Sequence, residues 1–324
     1  MRLATAAALV AVSASALMSP AAIAQAYPSR PIRLIVPQTP SGQVDTIGRT
    51  LAQHFAEKLG QPWIVENRAG ANGAIGFEAA AKSAPDGYTL LMSNQSGLVF
   101  APALKKSLPY DPLADFTSLG MLFDAPYYLL VHPSVPARTV TELIALARAQ
   151  PGKLNYASVG VGSGQHLFTE MLKSATGMDL VHVPYKGSTQ AGTDLVAGSV
   201  QVMLNGSGFT LPQAKGGKVR VLASTGSQRT VAMPELPTLM EAGVPGFSAS
   251  TWYSMSGPAK LPRALVQKLN GDMLEALKGG PVRQKLVELD MIVLPGPPEE
   301  LTERVRRELP VFAKAVRDAG VEPE

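Results

Sequence analysis

Ile32-Arg33-Leu34-Ile35-Val36-Pro37-Gln38-Thr39-Pro40-Ser41-Gly42-Gln43-Val44-Asp45 is the stretch whose reading decides the fold. Its β-branched start, residues 32–36, reads as a short buried strand. Residues 37–43 are a loop of Pro, Ser and Gly. From 44 to 59 the apolar residues Ile47, Leu51, Phe55 and Leu59 recur at every fourth position, which is one face of a helix. Gly60 is placed to end that helix in a left-handed cap.

The same unit recurs along the chain. Residues 62–65 read as a strand, 68–73 as a turn and 74–82 as a helix of small residues. Pro85-Asp86-Gly87 is a turn signal before a strand at 88–92. Strand and helix signals continue as 127–131 and 140–149, then 154–157 and 165–176, then 180–183 and 187–197. Further strands are expected at 200–204, 219–223 and 250–255. Two amphipathic helices, 263–277 and 299–319, close the sequence. This alternation predicts an α/β protein with parallel, helix-covered sheets. Segment 154–166 repeats the strand-loop-helix plan of 32–45 without sequence identity, so the two read as the ends of two separate sheets.

The N-terminal segment has a positive start at Arg2, an apolar run at 3–18 and a small-residue end, Ala24-Gln25-Ala26. Those are the three parts of a secretory signal peptide, with cleavage expected before Tyr27 and before Gln25 as the alternative. The apolar run falls short of the roughly 20 residues a spanning helix needs, so no lasting membrane insertion is expected. The chain has no cysteine, which excludes disulfides and a lipid-modified N-terminal Cys. An exported protein without a lipid anchor is retained by an outer membrane, so a Gram-negative periplasm is expected. Residues 27–324 suit two domains of roughly 150 residues each. Net charge is +4 and the pI about 9.2, but no Lys/Arg cluster or basic-aromatic stripe accompanies them, so nucleic acid is not an expected partner.

Three loops join a strand's C-terminal end to a helix start, where ligands of open α/β sheets bind. The first carries Gln38, Thr39, Ser41 and Gly42, with Asp45 placed to cap the helix. The free N–H groups of a helix start favour an anion. The plain alternative is an ordinary turn with an Asp cap. The second, Ser158-Val159-Gly160-Val161-Gly162-Ser163-Gly164, superficially resembles a dinucleotide fingerprint, but its spacing is wrong and no acidic residue follows at the expected distance. An anion site is the simpler reading, with His166 as a helix hydrogen-bonding residue. The third, Tyr185-Lys186-Gly187-Ser188, offers Lys186 to a carboxylate, against a solvated lysine. No G-x-S-x-G elbow occurs, and His54, His132, His166 and His182 lack zinc-site spacing. Gly206-Ser207-Gly208 reads as a loop. Neither a metal, a cofactor nor catalysis is expected.

A series of short blocks then carries a resemblance over the whole mature chain. They are Tyr27-Pro28-Ser29-Arg30-Pro31-Ile32, Val65-Glu66-Asn67-Arg68-Ala69-Gly70-Ala71, Ala84-Pro85-Asp86-Gly87-Tyr88-Thr89-Leu90 and Leu108-Pro109-Tyr110-Asp111-Pro112. Further on come Pro151-Gly152-Lys153-Leu154-Asn155-Tyr156-Ala157, Val181-His182-Val183-Pro184-Tyr185-Lys186-Gly187, Pro234-Glu235-Leu236-Pro237-Thr238 and Glu241-Ala242-Gly243. In these the chain resembles the Bug family of extracytoplasmic solute receptors, which serve tripartite tricarboxylate transporters. The resemblance implies a type II periplasmic binding protein fold, a Venus flytrap. Its two α/β domains have central sheets joined by two crossing strands, near Tyr127 and near Trp252. The expected division is 27–127 with 250–324 as the first domain and 128–249 as the second.

The resemblance also implies a monomeric receptor that binds a small carboxylate and meets membrane transporter subunits. Its ligand residues would be Gln38, Thr39, Ser41, Gly42 and Asp45, with Asn94 and Gln95 facing them. The second domain would add Ser158, Gly160, Ser163, His166, Tyr185, Lys186, Gly187 and Asn205, and Trp252 would wall the cleft. The family loop commonly reads P-F-A-P-G-G-x-x-D, whereas here Gln38, Thr39 and Ser41 replace its Phe, Ala and first Gly. Asn205 stands where the family often has Asp. These departures add neutral donors to the expected cleft. Alternatives are a sensory receptor for a membrane kinase and, behind it, a secreted enzyme on the same fold.

Overall fold

The computed structural model describes residues 27–40, 43–70 and 73–323; the expected leader and the loop residues Ser41 and Gly42 lie outside them. The opening stretch forms β1 (Ile32–Val36) and α1 (Gln43–Leu59), and α1 buries Ile47, Leu51 and Phe55 as its periodicity requires. Gly60 has φ 71° and donates its N–H to Ala56 O at 3.0 Å, ending the helix. The chain goes on through β2 (Trp63–Asn67), α2 (Ala74–Ala81) and β3 (Thr89–Asn94). A π-helical turn, Ser96–Phe100, then runs into α3 (Ala101–Leu104), and the long β4 (Phe116–Pro126) follows.

Beyond Tyr127 a second sheet begins. Its strands are β5 (Tyr128–Val131), β6 (Asn155–Ser158), β7 (Val181–Pro184), β8 (Val202–Asn205) and β9 (Arg220–Ser224). Between them lie α4 (Val140–Ala149), α5 (Gly164–Thr176), α6 (Ser188–Ala197) and α7 (Ser207–Lys215). The chain returns as β10 (Ser250–Pro258), followed by α8 (Arg263–Lys278), α9 (Gly280–Glu288), β11 (Ile292–Val293) and α10 (Pro298–Asp318). Strand order is β11-β4-β10-β3-β1-β2 in the first sheet and β7-β6-β8-β5-β9 in the second. The protein is thus a two-domain α/β fold of the flytrap kind.

Both sheets are mixed, which corrects the expectation of purely parallel ones. β1 runs parallel to β2 and β3, but β10 is antiparallel to β3 and β4, and β11 to β4. In the second sheet β6 is parallel to β7 and β8, whereas β5 is antiparallel to β8 and β9. The physical reason is the crossing: β4 leads out of the first domain and β10 leads back, so the two run in opposite directions. Their pairing extends from Ser250↔Pro126 to Pro258↔Phe116.

One buried threonine reinforces the crossing. Thr225 is fully buried. Its N–H donates to Tyr127 O at 2.8 Å, and its carbonyl accepts from Ala249 N at 2.8 Å. Its Oγ1 accepts from Tyr127 N at 2.9 Å and donates to Ala249 O. Outgoing and returning chains are therefore stitched to each other through one side chain. Nearby, the turn after α9 reaches the second domain: Asp290 accepts from Tyr128 Oη and, at 3.0 Å, from Ala232 N. Ser207 Oγ donates to Leu289 O at 3.0 Å.

Away from the crossing, the domains meet through aromatic rings. Phe100 lies 5.8 Å from Phe168 of α5 and 4.7 Å from Phe312 of α10, centroid to centroid. A continuous apolar cluster therefore runs from beneath the first sheet into the second domain.

Candidate functional site

A cavity of about 330 Å³ lies where the ends of β1 and β3 face the loop between β6 and α5. From the first domain it is lined by Pro37, Gln38, Asn94 and Ser96, with Gly70 and Gly73 beneath. Tyr127, Thr251 and Tyr253 close it at the crossing. Val159, Gly162, Ser163, Gly164 and Gln165 face them from the second domain. The alternation of strand residues places Thr251 and Tyr253 on the cavity side of β10. Gln38 Nε2 donates to Tyr253 Oη at 3.1 Å, and the Tyr127 and Thr251 hydroxyls lie 3.1 Å apart. Burial pushes both phenols above their ordinary pKa, so they stay protonated.

Among the described residues, none of the cavity-lining side chains is charged. The α5 helix begins in the wall. Ser163 caps it: its Oγ accepts from His166 N at 3.3 Å and donates to Gly160 O at 2.7 Å. That leaves the N–H groups of Gly164 and Gln165 at the head of the helix, where its dipole favours negative charge. The loop before the helix is set by glycine, with φ 119° at Gly160 and 76° at Gly162. A β-branched residue at either position would strain the backbone, and at Gly162 it would also meet Leu104.

Of the expected ligand residues, the structure brings Gln38, Asn94 and Ser163 together around this cavity. Thr39 is exposed on the same loop, next to Ser41 and Gly42, which are outside the described residues. Asn94 Oδ1 accepts from Gly97 N at 2.9 Å and so fixes the turn after β3. Asp45 sits in the first turn of α1, where its carboxylate accepts from Arg49 Nε at 3.0 Å and Asn67 Nδ2 at 2.9 Å. It ties α1 to β2.

Trp252 and Gln95 correct the sequence reading. Trp252 is fully buried on the opposite face of β10 from the cavity, because its neighbours Thr251 and Tyr253 point inward. Its Nε1 donates to Glu308 Oε2 at 2.7 Å, and Gln95 Nε2 donates to the same oxygen at 2.7 Å. Arg304 completes this buried group, donating to Glu308 Oε1 at 2.8 Å and pairing with Asp124 at 3.2 Å. Both residues therefore dock α10 against the first domain.

The remaining second-domain residues also lie outside the lining. Ser158 is buried; its Oγ lies 2.6 Å from His182 Nε2 and accepts from Gly160 N at 3.1 Å. His166 Nδ1 accepts from Gly162 N at 3.1 Å and so shapes the same loop from behind. Tyr185 Oη donates to Asp194 at 2.7 Å. Lys186 is exposed, and Gly187 precedes α6 in an extended conformation. Asn205 Oδ1 accepts from Gly206 N at 2.9 Å, turning the chain into α7. The Gly206-Ser207-Gly208 segment, expected as a loop, is the start of that helix.

The arrangement can hold an anion without neutralising it by a cation. The Ser158–His182 contact resembles a nucleophile-base pair, but Ser158 is sealed from the cavity and fixed by its own loop. Among the described residues no cluster of three or more His, Asp or Glu could hold a metal ion. No described helix is long and apolar enough to cross a membrane. A larger groove, about 850 Å³, lies between the start of α4 and the Met233–Gly243 region, but it is lined by the second domain alone.

The family model described as the tripartite tricarboxylate transporter family receptor matches residues 47–314. Protein BugT of Bordetella pertussis is 36% identical over 298 residues, covering 92% of this chain and 91% of that protein. The solved structure titled R. palustris Rpa4515 with adipate is 32% identical, with a TM-score of 0.79 and coverage of 92% of this chain and 100% of its own. MatC of Rhodopseudomonas palustris with bound malate is 31% identical, with a TM-score of 0.73 and coverage of 90% and 100%. The chain belongs to the tripartite tricarboxylate transporter receptor family.

Proposed function

We propose that this member of the receptor family is exported to a Gram-negative periplasm, where it captures one small organic acid between its domains and delivers it to the membrane subunits of a tripartite transporter. The observation that carries this reading is the uncharged cavity headed by the start of α5. A carboxylate there meets the N–H groups of Gly164 and Gln165, with Gln38, Asn94, Ser163 and the tyrosine hydroxyls around it. Hydrogen bonds to a charged group are worth about 1.5–3 kcal/mol each, so a few neutral donors suffice for firm capture. Thr39 is exposed on the β1–α1 loop, one residue beyond Gln38, and is a further candidate donor. The volume is near the low end of the roughly 300–1,000 Å³ usual for ligand pockets, which suits a small acid. The adipate and malate complexes of the relatives support the same ligand class. No step of chemistry is needed, and the role is binding without catalysis.

The test is a thermal-shift and calorimetry panel on residues 27–324 with malate, succinate, adipate, citrate, amino acids and neutral amides. A true ligand at about one hundred times its Kd adds roughly 2.7 kcal/mol and raises Tm by several degrees. Stabilisation by one class of acid is the expected result. Stabilisation by amides alone would refute the anion reading. An inert panel, with an empty cleft by native mass spectrometry of protein from its own host, would refute the receptor role.

A further inference from the structure

Behind the cavity, and on the far side of its loop wall, lies a second chamber of about 390 Å³. Leu104, at the end of α3, lines both spaces. Opposite it stands Gly162, which lines the first space, while its neighbour Val161 lines the second. The fit between them is close: a Cβ on Gly162 would fall 2.7 Å from Leu104 Cδ1 and 2.8 Å from Cδ2. The isobutyl group thus occupies the room that glycine leaves free. His166 holds Gly162 in place from behind through its Nδ1 at 3.1 Å.

Resting on the reading of the cavity as an acid site, we propose that Leu104, seated on Gly162, is a partition that sets the greatest length of acid the receptor accepts. The rear chamber is large enough for the far end of a longer acid. Its walls are mixed: the His166 and His182 rings, Lys105, and Glu322 of the C-terminal tail. It is therefore open to a polar chain end, and at Leu104 a single side chain stands between it and the cavity whose helix start grips the near carboxylate. Shortening that side chain joins the two spaces without touching the donors around the first carboxylate.

The experiment measures Kd for the unbranched diacids succinate, glutarate, adipate, suberate and sebacate with wild type, Leu104→Ala and Leu104→Met. Wild-type affinity is expected to collapse beyond one member of the series. In Leu104→Ala the collapse moves to a longer member, with at least about tenfold tighter binding of the first acid that wild type rejects. Leu104→Met keeps the packing volume and has a flexible side chain, so it gives an intermediate profile even if the alanine variant fails to fold. Binding of the short acids with an unmoved cut-off in the folded variants overturns the partition and leaves the acid site standing. Wild type that binds no member of the series, and no other acid, overturns both.

Discussion

Acidification should reveal the stacked histidines. The rings of His166 and His182 lie 4.1 Å apart at an interplanar angle of 16°, and His182 stacks on Tyr156 at 4.9 Å. Burial, reinforced by the neighbouring His166, pushes His182 from its ordinary 6.5 down to about 4. Burial lowers His166 as well. Glu170 favours the protonated forms and Lys173 opposes them, while Lys105 and Glu322 line the chamber in front. As pH falls below 6.5 the unfolded imidazole takes up a proton, whereas the folded one waits until about 4. The unfolded state then binds more protons, so folding stability declines across that window and levels off below it; above the window the group contributes nothing. Each unit of separation is worth about 1.4 kcal/mol, so His182 accounts for up to about 3 kcal/mol, less its partial exposure. Urea denaturation of wild type and His182→Gln at pH 7.5, about 5.5 and about 4.5 isolates this contribution, because the background carboxylates cancel in the difference. Wild type should lose ground to the variant progressively with acid. A difference that stays constant across the series would refute the linkage.

Three further outcomes follow from the contacts. Thr225→Val keeps the shape of the crossing but leaves Tyr127 N–H and Ala249 C=O without the hydroxyl, so urea denaturation should show a loss of about 1–3 kcal/mol; a loss under about 0.5 would mean that the backbone bonds alone hold the crossing. Trp252→Phe deletes the donor to Glu308 and should cost about 1–2 kcal/mol in the same assay, with acid affinity by calorimetry within about twofold of wild type. A tenfold weaker acid with the fold intact would place Trp252 at the ligand after all. Lys186→Ala should leave stability within about 0.5 kcal/mol, since the side chain is exposed, and a more than about tenfold loss of acid affinity would show that the ammonium reaches the ligand.

Local signals were legible where one rule dominates. The β-branched run at β1, the fourfold spacing along α1 and the apolar pattern of α4 coincide with the elements found. The long β4 was invisible because it is buried on both faces over much of its length and irregular. Its pairing with β10 slips between Tyr253 and Ser254 and again between Met255 and Ser256, so no strict alternation survives. The start of α7 reads as a loop in sequence because Gly206 and Gly208 flank Ser207, and Pro212 hides the helix beyond it. The candidate site divides in the same way. Gln38, Asn94 and Ser163 stand at strand ends or a helix cap, positions that sequence can locate. Trp252 missed the cavity by one residue, since the face of a strand flips at every step and nothing local fixes its phase. The partners of Gln95, Ser158 and Leu104 are set by how α10, β7 and the two domains pack, and those contacts span long stretches of chain.

The paired strands β4 and β10 give the molecule a spine. Two tethers at opposite edges of a protein would let its halves slide as well as turn. Here both passages lie side by side and share Thr225, so the halves are joined along one edge like the covers of a book. A turn about that edge would be described by one angle, and a small molecule caught between the pages would act on it. A surface resting across both covers would sense that angle without ever touching what is held inside.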